Sequence, residues 1–132
     1  PQDAAALEQP LNALEAQDDP DGIWRRHVNS ALETCYAQWF AMIDHLVMLK
    51  PPSFDHVLKN RLLQEHKLRA TAPDAPGIMD DAAVARFVSH YERVTRHMVA
   101  DLPDHVDLLF QLSAGQDVIS CTGLGKEDAH VS

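Results

Sequence analysis

The sequence predicts an α/β fold, mostly helical, with two or three short strands. Three observations carry this. The run Leu46–Leu49 is apolar and is stopped by Pro51-Pro52, after which a long helical pattern opens at Ser53. A second apolar run, His105 to Leu112, follows two further helical patterns. Strand, turn, helix and strand in that order are the grammar of a parallel α/β unit. Two strands are too few for a parallel sheet covered on both faces, so the chain reads as half of an α/β domain.

The elements follow in order. Residues 1 to 21 are rich in Ala, Gln and acid, and read as an irregular lead-in crowded with Asn12, Glu15, Asp18, Asp19 and Asp21. Asp21 is the expected helix cap. Behind it, Trp24, Val28, Ala31, Leu32, Cys35, Trp39, Met42 and Ile43 recur at helical spacing, which predicts one buried stripe about 20 residues long. Arg25, Arg26 and His27 place cations in its first turn, where the helix dipole disfavours them, and so point to an anion or a carboxylate partner. Leu46–Leu49 is the first strand, and Pro51-Pro52 ends it because proline has no ladder donor.

The next helix, capped by Ser53, turns Phe54, Val57, Leu58, Leu62 and Leu68 to one broad face. Arg61, Glu65 and Arg69 share that face at i, i+4, i+8, where a plain core helix would be apolar. The row is either a structural ion-pair ladder or a set of charges aimed at a ligand. Thr71 to Gly77 is a loop. Asp80 caps a third helix whose inner face is Val84, Phe87, Val88, Tyr91, Val94, Thr95, Met98 and Leu102, ended by Pro103. His105 to Leu112 is the second strand, parallel to the first. Residues 114–117 turn the chain, Val118–Cys121 form a last short strand, and the polar tail from Thr122 is expected to fray.

Composition narrows the function. A 132-residue chain suits a single domain portion, and 45% hydrophobic residues suit a globular one. The net charge of −9 argues against a nucleic-acid partner. The charge is uneven: Lys50 to Arg69 holds five basic residues and two acidic ones, which suits a small anionic ligand. Cys35 and Cys121 form no CxxC pair, so a reducing, cytoplasmic setting is expected. No apolar run approaches the roughly 20 residues that span a bilayer, so no membrane partner is expected. Eight histidines form neither HExxH nor HxH, and no metal site is expected. A phosphate loop, GxxxxGK[ST], fails at Gly125-Lys126, since Ser120 stands at the first glycine position and Glu127 follows the lysine.

Several ordered motifs nevertheless resemble a kinase family. Pro52-Ser53 and then Arg61, Gln64, Glu65 and Leu68 match its strand, turn and R-x-x-Q-E-x-x-L helix. Gly77-Ile78-Met79-Asp80, Phe87-Val88 and His90-Tyr91-Glu92-Arg93 continue the match, with Ile78 inserted. Upstream, Pro10-Leu11-Asn12, Leu14-Glu15 and the run from Asp21 to Asn29 also fit. Over residues 8 to 112 the chain resembles P-loop kinases similar to D-glycerate kinase, in the phosphoribulokinase and uridine kinase superfamily, and only their C-terminal half. The resemblance implies the C-terminal part of a P-loop NTPase-type three-layer fold, and a kinase that moves the ATP γ-phosphate, with Mg²⁺, to a hydroxyl of a small hydroxy acid.

In that picture the helix after Pro52 is the lid. Arg61 is the main phosphate contact, Lys67 and Arg69 are lesser ones, and Gln64 and Glu65 support them. Asn12, Arg25 and Asn29 grip the substrate carboxylate. Gln111, Ser113 and Gly115 face the adenine. The phosphate-loop half is expected upstream, so that this portion alone is inactive and pairs either with that half or with itself. The alternative from the residues alone is a non-catalytic, mostly helical interaction module with an Arg-Glu-Arg ladder.

Overall fold

A computed structural model describes residues 1–73, 76–123 and 129–130. The fold is mixed α/β. The chain divides into two compact units, Pro1–Leu46 and Val47–Ser132.

The first unit holds a 3-10 turn (Ala4–Leu7) and the helices α1 (Ala13–Asp18), α2 (Ile23–Glu33) and α3 (Cys35–Phe40). The single long helix expected from the stripe is therefore two. It breaks at Thr34, whose backbone leaves helical values (φ −107°, ψ −78°) and whose hydroxyl donates to the Ser30 carbonyl one turn back, a bond that bends helices. The stripe is not buried either. Trp24 is 66% exposed, Trp39 72% and Met42 81%, and Cys35 is exposed as well. The buried apolar side chain of this unit is Leu7. A 46-residue unit buries a smaller fraction of its surface than a larger domain does, and both tryptophans lie outside that fraction.

The second unit opens with β1 (Val47–Lys50) and continues through α4 (Phe54–Thr71), α5 (Asp81–Ser89) and α6 (Glu92–Asp101). A 3-10 turn containing Pro103 (Leu102–His105) leads to β2 (Leu108–Leu112), β3 (Val118–Gly123) and the two-residue β4 (Ala129–His130). The sheet order is β1-β2-β3-β4. β1 and β2 are parallel, as the sequence predicts, with Val47 opposite Leu108 and Lys50 opposite Gln111. β3 and β4 return antiparallel. Thr122 and Gly123 thus belong to a strand rather than to the frayed tail, and 129–130 pair with it; Gly125-Lys126 lies outside the described residues. Gly123 is required where it stands: φ is +124°, and a Cβ there would sit 2.0 Å from the Asp107 carbonyl oxygen.

α4 packs on α5 and α6. Phe54, Val84 and Val88 form the core, with Val57, Leu58, Leu62 and Met79 packed around it. Each buried side chain of this size contributes about 1.5–3 kcal/mol. The predicted apolar face of α4 is there, except that Leu68 is 42% exposed. Asp80 caps α5 as expected, its Oδ1 accepting the Ala83 N–H at 2.7 Å. The predicted third helix is broken at His90–Tyr91, and beyond the break Tyr91, Val94 and Met98 are exposed while Arg93 is buried. Arg96 on α6 lays its guanidinium over the Phe54 ring at 4.8 Å and pairs with Glu92 at 2.8 Å.

Candidate functional site

The charged row on α4 is the centre of the second unit's polar structure. Glu65 sits on the core face and is 1% exposed. Its Oε1 accepts the backbone N–H of Met79 at 2.9 Å, and its Oε2 lies 3.0 Å from Arg61. Arg61 also donates to Gln64 at 3.0 Å and lies 5.8 Å from the centre of the Phe87 ring, with its side chain 28% exposed. Arg61 is thus paired with Glu65 and hydrogen-bonded to Gln64.

Arg69 is held differently from the expected ladder. It donates to the Met79 carbonyl at 3.1 Å and to Asp81 at 2.7 Å. Both backbone groups of Met79 are thereby satisfied by α4 side chains, Glu65 taking the N–H and Arg69 the C=O. Without them, the residues ahead of α5 would bury an unpaired amide, at a cost of about 1–3 kcal/mol. His66 Nε2 adds a contact to the same Asp81 oxygen at 2.9 Å. Hydrogen bonds from Arg69 and then His66 hold the Asp81 carboxyl below the usual carboxylate value. Lys67 is exposed.

The carboxyl ends of β1 and β2 form the second group. Lys50 and Gln111 stand opposite one another at the last paired position. Beyond Leu112, Ser113 organises a tight turn. Its Oγ accepts the N–H groups of Gly115 and Asp117, both at 3.1 Å, and its own N–H donates to the Asp117 carbonyl at 2.8 Å. Gln116 takes the left-handed conformation (φ 71°) and Gly115 lies exposed at the tip.

In the first unit, Asn12 caps α1 by accepting the Glu15 N–H at 3.0 Å, while Glu15 accepts the Leu11 N–H at 2.8 Å. This pair resembles a capping box, with Glu15 reaching back to the residue before the cap. Asn29 holds the Gln2 backbone at both groups, its Oδ1 accepting the Gln2 N–H at 2.6 Å and its Nδ2 donating to the Gln2 C=O at 3.0 Å. Arg25 is 6% exposed. It donates to the carbonyls of Leu7, Glu8 and Asp19 and pairs with the Asp19 carboxylate at 3.3 Å. The carboxylate partner that the basic first turn calls for is thus Asp19.

Asp19 also replaces Asp21 as the cap of α2, accepting the N–H groups of Trp24 and Arg25 at 2.9 and 3.1 Å. The reason is Gly22, whose left-handed backbone (φ 70°) folds the chain back so that the earlier aspartate reaches the helix end. A Cβ on Gly22 would lie 2.8 Å from the Arg25 guanidinium. Burial pushes the Asp19 carboxyl up, but the N–H groups of Trp24 and Arg25 and the charge of Arg25 outweigh it and leave it below the usual value.

Sequence reasoning missed Met79, Asp81, His66 and Asp19 as members of these clusters. Asp19 was visible only as one acid among several. The i, i+4 spacing of Glu65 and Arg69 marks their face but does not reveal the peptide they hold. Among the described residues no group of three or more His, Cys, Asp or Glu side chains is placed to hold a metal, and no helix is long and apolar enough to cross a membrane.

By fold and site the chain is a mixed α/β protein with a parallel strand pair and a helix whose buried carboxylate fastens the turn ahead of the next helix. Comparison with protein-family models, with curated proteins and with solved structures returns no match.

Proposed function

We propose that this chain is a portion of an ATP-dependent small-molecule kinase similar to D-glycerate kinase, with α4 as its lid and a P-loop NTPase-type sheet as its frame. The observation that carries the reading is the parallel pair β1–β2, joined through helices, with Lys50, Gln111 and the Ser113 turn gathered at its carboxyl ends. Ligands of parallel α/β sheets collect at that edge. The held but still partly exposed Arg61 supports the lid assignment.

In this reading ATP with Mg²⁺ supplies the phosphoryl group, and the acceptor is a hydroxyl of a small hydroxy acid. Arg61 neutralises charge on the transferring phosphate, with Lys67 and Arg69 as lesser contributors, and Gln64 and Glu65 keep Arg61 in one orientation. Positioned cations are the main protein contribution in phosphoryl transfer. Gln111, Ser113 and Gly115 lie on the nucleotide side. Asn12, Arg25 and Asn29 belong to the substrate side. Because their polar atoms are bound to their own chain, their part there is to shape the segment.

A second reading has one observation in its favour: Glu65 is buried and spends one oxygen on the Met79 amide, which is what a structural ladder in a non-catalytic interaction module would do. ATP binding and phosphoryl transfer by the complete protein, measured with and without Arg61→Ala, separate the two. Loss of turnover with the fold retained is expected. Unchanged ATP affinity and unchanged turnover would sink the lid assignment and leave the ladder.

A further inference from the structure

Between α4 and the turn joining β2 to β3 lies an open hollow of about 480 Å³, lined by Lys59, Asn60, Leu62, Leu63, His66 and the stretch from Ala114 to Gln116. Its volume falls within the range of small-molecule sites, roughly 300–1,000 Å³. Lys59 and His66 are seven residues apart and so share a helix face, about 10 Å apart along the axis at about 1.5 Å per residue. Leu62 and Leu63 fill the space between them. The Asp81 oxygen that meets His66 at 2.9 Å is also held by Arg69 at 2.7 Å. Asp81 therefore occupies the His66 and Arg69 side chains at one end of the hollow, and Lys59 stands exposed at the other.

We propose that this hollow binds a small organic anion, a phosphate or carboxylate carried on an apolar body. The anionic group meets Lys59, the body lies on Leu62 and Leu63, and the amides of Asn60 and Gln116 serve its polar substituents. The site goes beyond the kinase reading. Arg61, Lys67 and Arg69 do not line it, and among the assigned nucleotide-side residues it shares Gly115 alone, so a probe without a nucleobase tests it separately.

The test is titration of the 132-residue chain with phenyl phosphate, benzoate, inorganic phosphate and benzyl alcohol, followed by backbone amide shifts. Saturable shifts confined to residues 59–66 and 114–116 are expected with phenyl phosphate or benzoate, and whichever binds more tightly identifies the head group. Lys59→Gln should weaken binding several-fold and Lys59→Glu about tenfold or more, with unchanged circular dichroism because Lys59 is exposed. Leu63→Ser, at a half-exposed position, should weaken the aromatic probes and spare the fold. The proposal is overturned by absence of saturable shifts up to about 10 mM, weaker than any affinity of functional interest. It is equally overturned by unaltered binding in Lys59→Glu, by equal binding of inorganic phosphate, or by equal binding of benzyl alcohol.

Discussion

Replacing Glu65 separates its two roles. Glu65→Gln keeps the side chain's shape and an acceptor oxygen for the Met79 N–H, but removes the charge that faces Arg61 at 3.0 Å. Arg61 is partly exposed and hydrates once released, so the loss is that of a screened pair, about 1 kcal/mol. Glu65→Ala removes the acceptor as well. It leaves the Met79 amide unpaired, which costs about 1–3 kcal/mol, and opens a void beside the core for a further 1–2 kcal/mol. The expected ordering is wild type, then Gln lower by about 1 kcal/mol, then Ala lower by about 3–6 kcal/mol. Tryptophan fluorescence will not read this, because Trp24 and Trp39 are already largely exposed in the folded chain. Urea denaturation followed by far-ultraviolet circular dichroism will, together with amide exchange at Met79. In Glu65→Gln the Met79 amide should stay protected; in Glu65→Ala its exchange should accelerate more than that of the α4 backbone. Equal stability of wild type and Glu65→Ala, or unchanged Met79 exchange, would refute the argument that a buried carboxylate holds this turn.

The same logic extends to the first unit, where amide exchange at Trp24 and Arg25, whose N–H groups Asp19 accepts, is the local probe beside the urea midpoint by circular dichroism. Asp19 has a lowered folded-state carboxyl pKa, so its stabilising effect is present above the ordinary value of 3.8 and is lost as pH falls through the folded value. Wild type should therefore exceed Asp19→Asn in urea midpoint at neutral pH, with the gap closing in acid; a gap independent of pH would contradict this. Arg25→Lys should destabilise the unit by about 3 kcal/mol, since a single ammonium cannot replace a fork serving three carbonyls and a carboxylate; a midpoint within error of wild type would refute it. Gly22→Ala should cost about 1–2 kcal/mol from the left-handed backbone alone, with a further loss from crowding Arg25.

Much of the second unit was legible because its signals are local. Proline stops β1, Asp80 caps α5 through its own side chain, and Phe54, Val57, Leu58 and Leu62 announce a helix face at 3.6 spacing. The parallel pairing of β1 and β2 follows from the helices between them. What failed depended on partners distant in sequence or on backbone geometry. The stripe from Trp24 to Ile43 has helical period throughout, and period cannot show that Thr34 interrupts it or that nothing in the unit covers it. Asp21 is as good a cap by composition as Asp19; only the left-handed Gly22 selects between them. Arg69 was assigned to Glu65 by spacing, yet Asp81, twelve residues on, offers a carboxylate where Met79 offers a carbonyl.

How the chain distributes its cations bears on which of them a phosphate would meet. Each of its seven arginines has a partner within the chain: Arg25 and Arg26 in the first unit, and Arg61, Arg69, Arg86, Arg93 and Arg96 in the second. Lys59 and Lys67, by contrast, are exposed. The division follows chemistry, since a planar fork satisfies several fixed acceptors at once, whereas an ammonium is a hydrated point charge on a flexible stem. For Arg61 to reach a phosphate it must share or exchange Glu65, so its contribution to binding comes with a contribution to the fold. Lys67 carries no such tie. If α4 serves as a lid, Lys67→Ala should weaken ATP binding by the complete protein about two- to fivefold, the range of a screened pair of under 1 kcal/mol, and leave the urea midpoint unchanged. Arg61→Ala should lower both. Calorimetry paired with denaturation distinguishes these outcomes, and a Lys67→Ala protein that loses stability but no affinity would reverse the assignment of the two side chains.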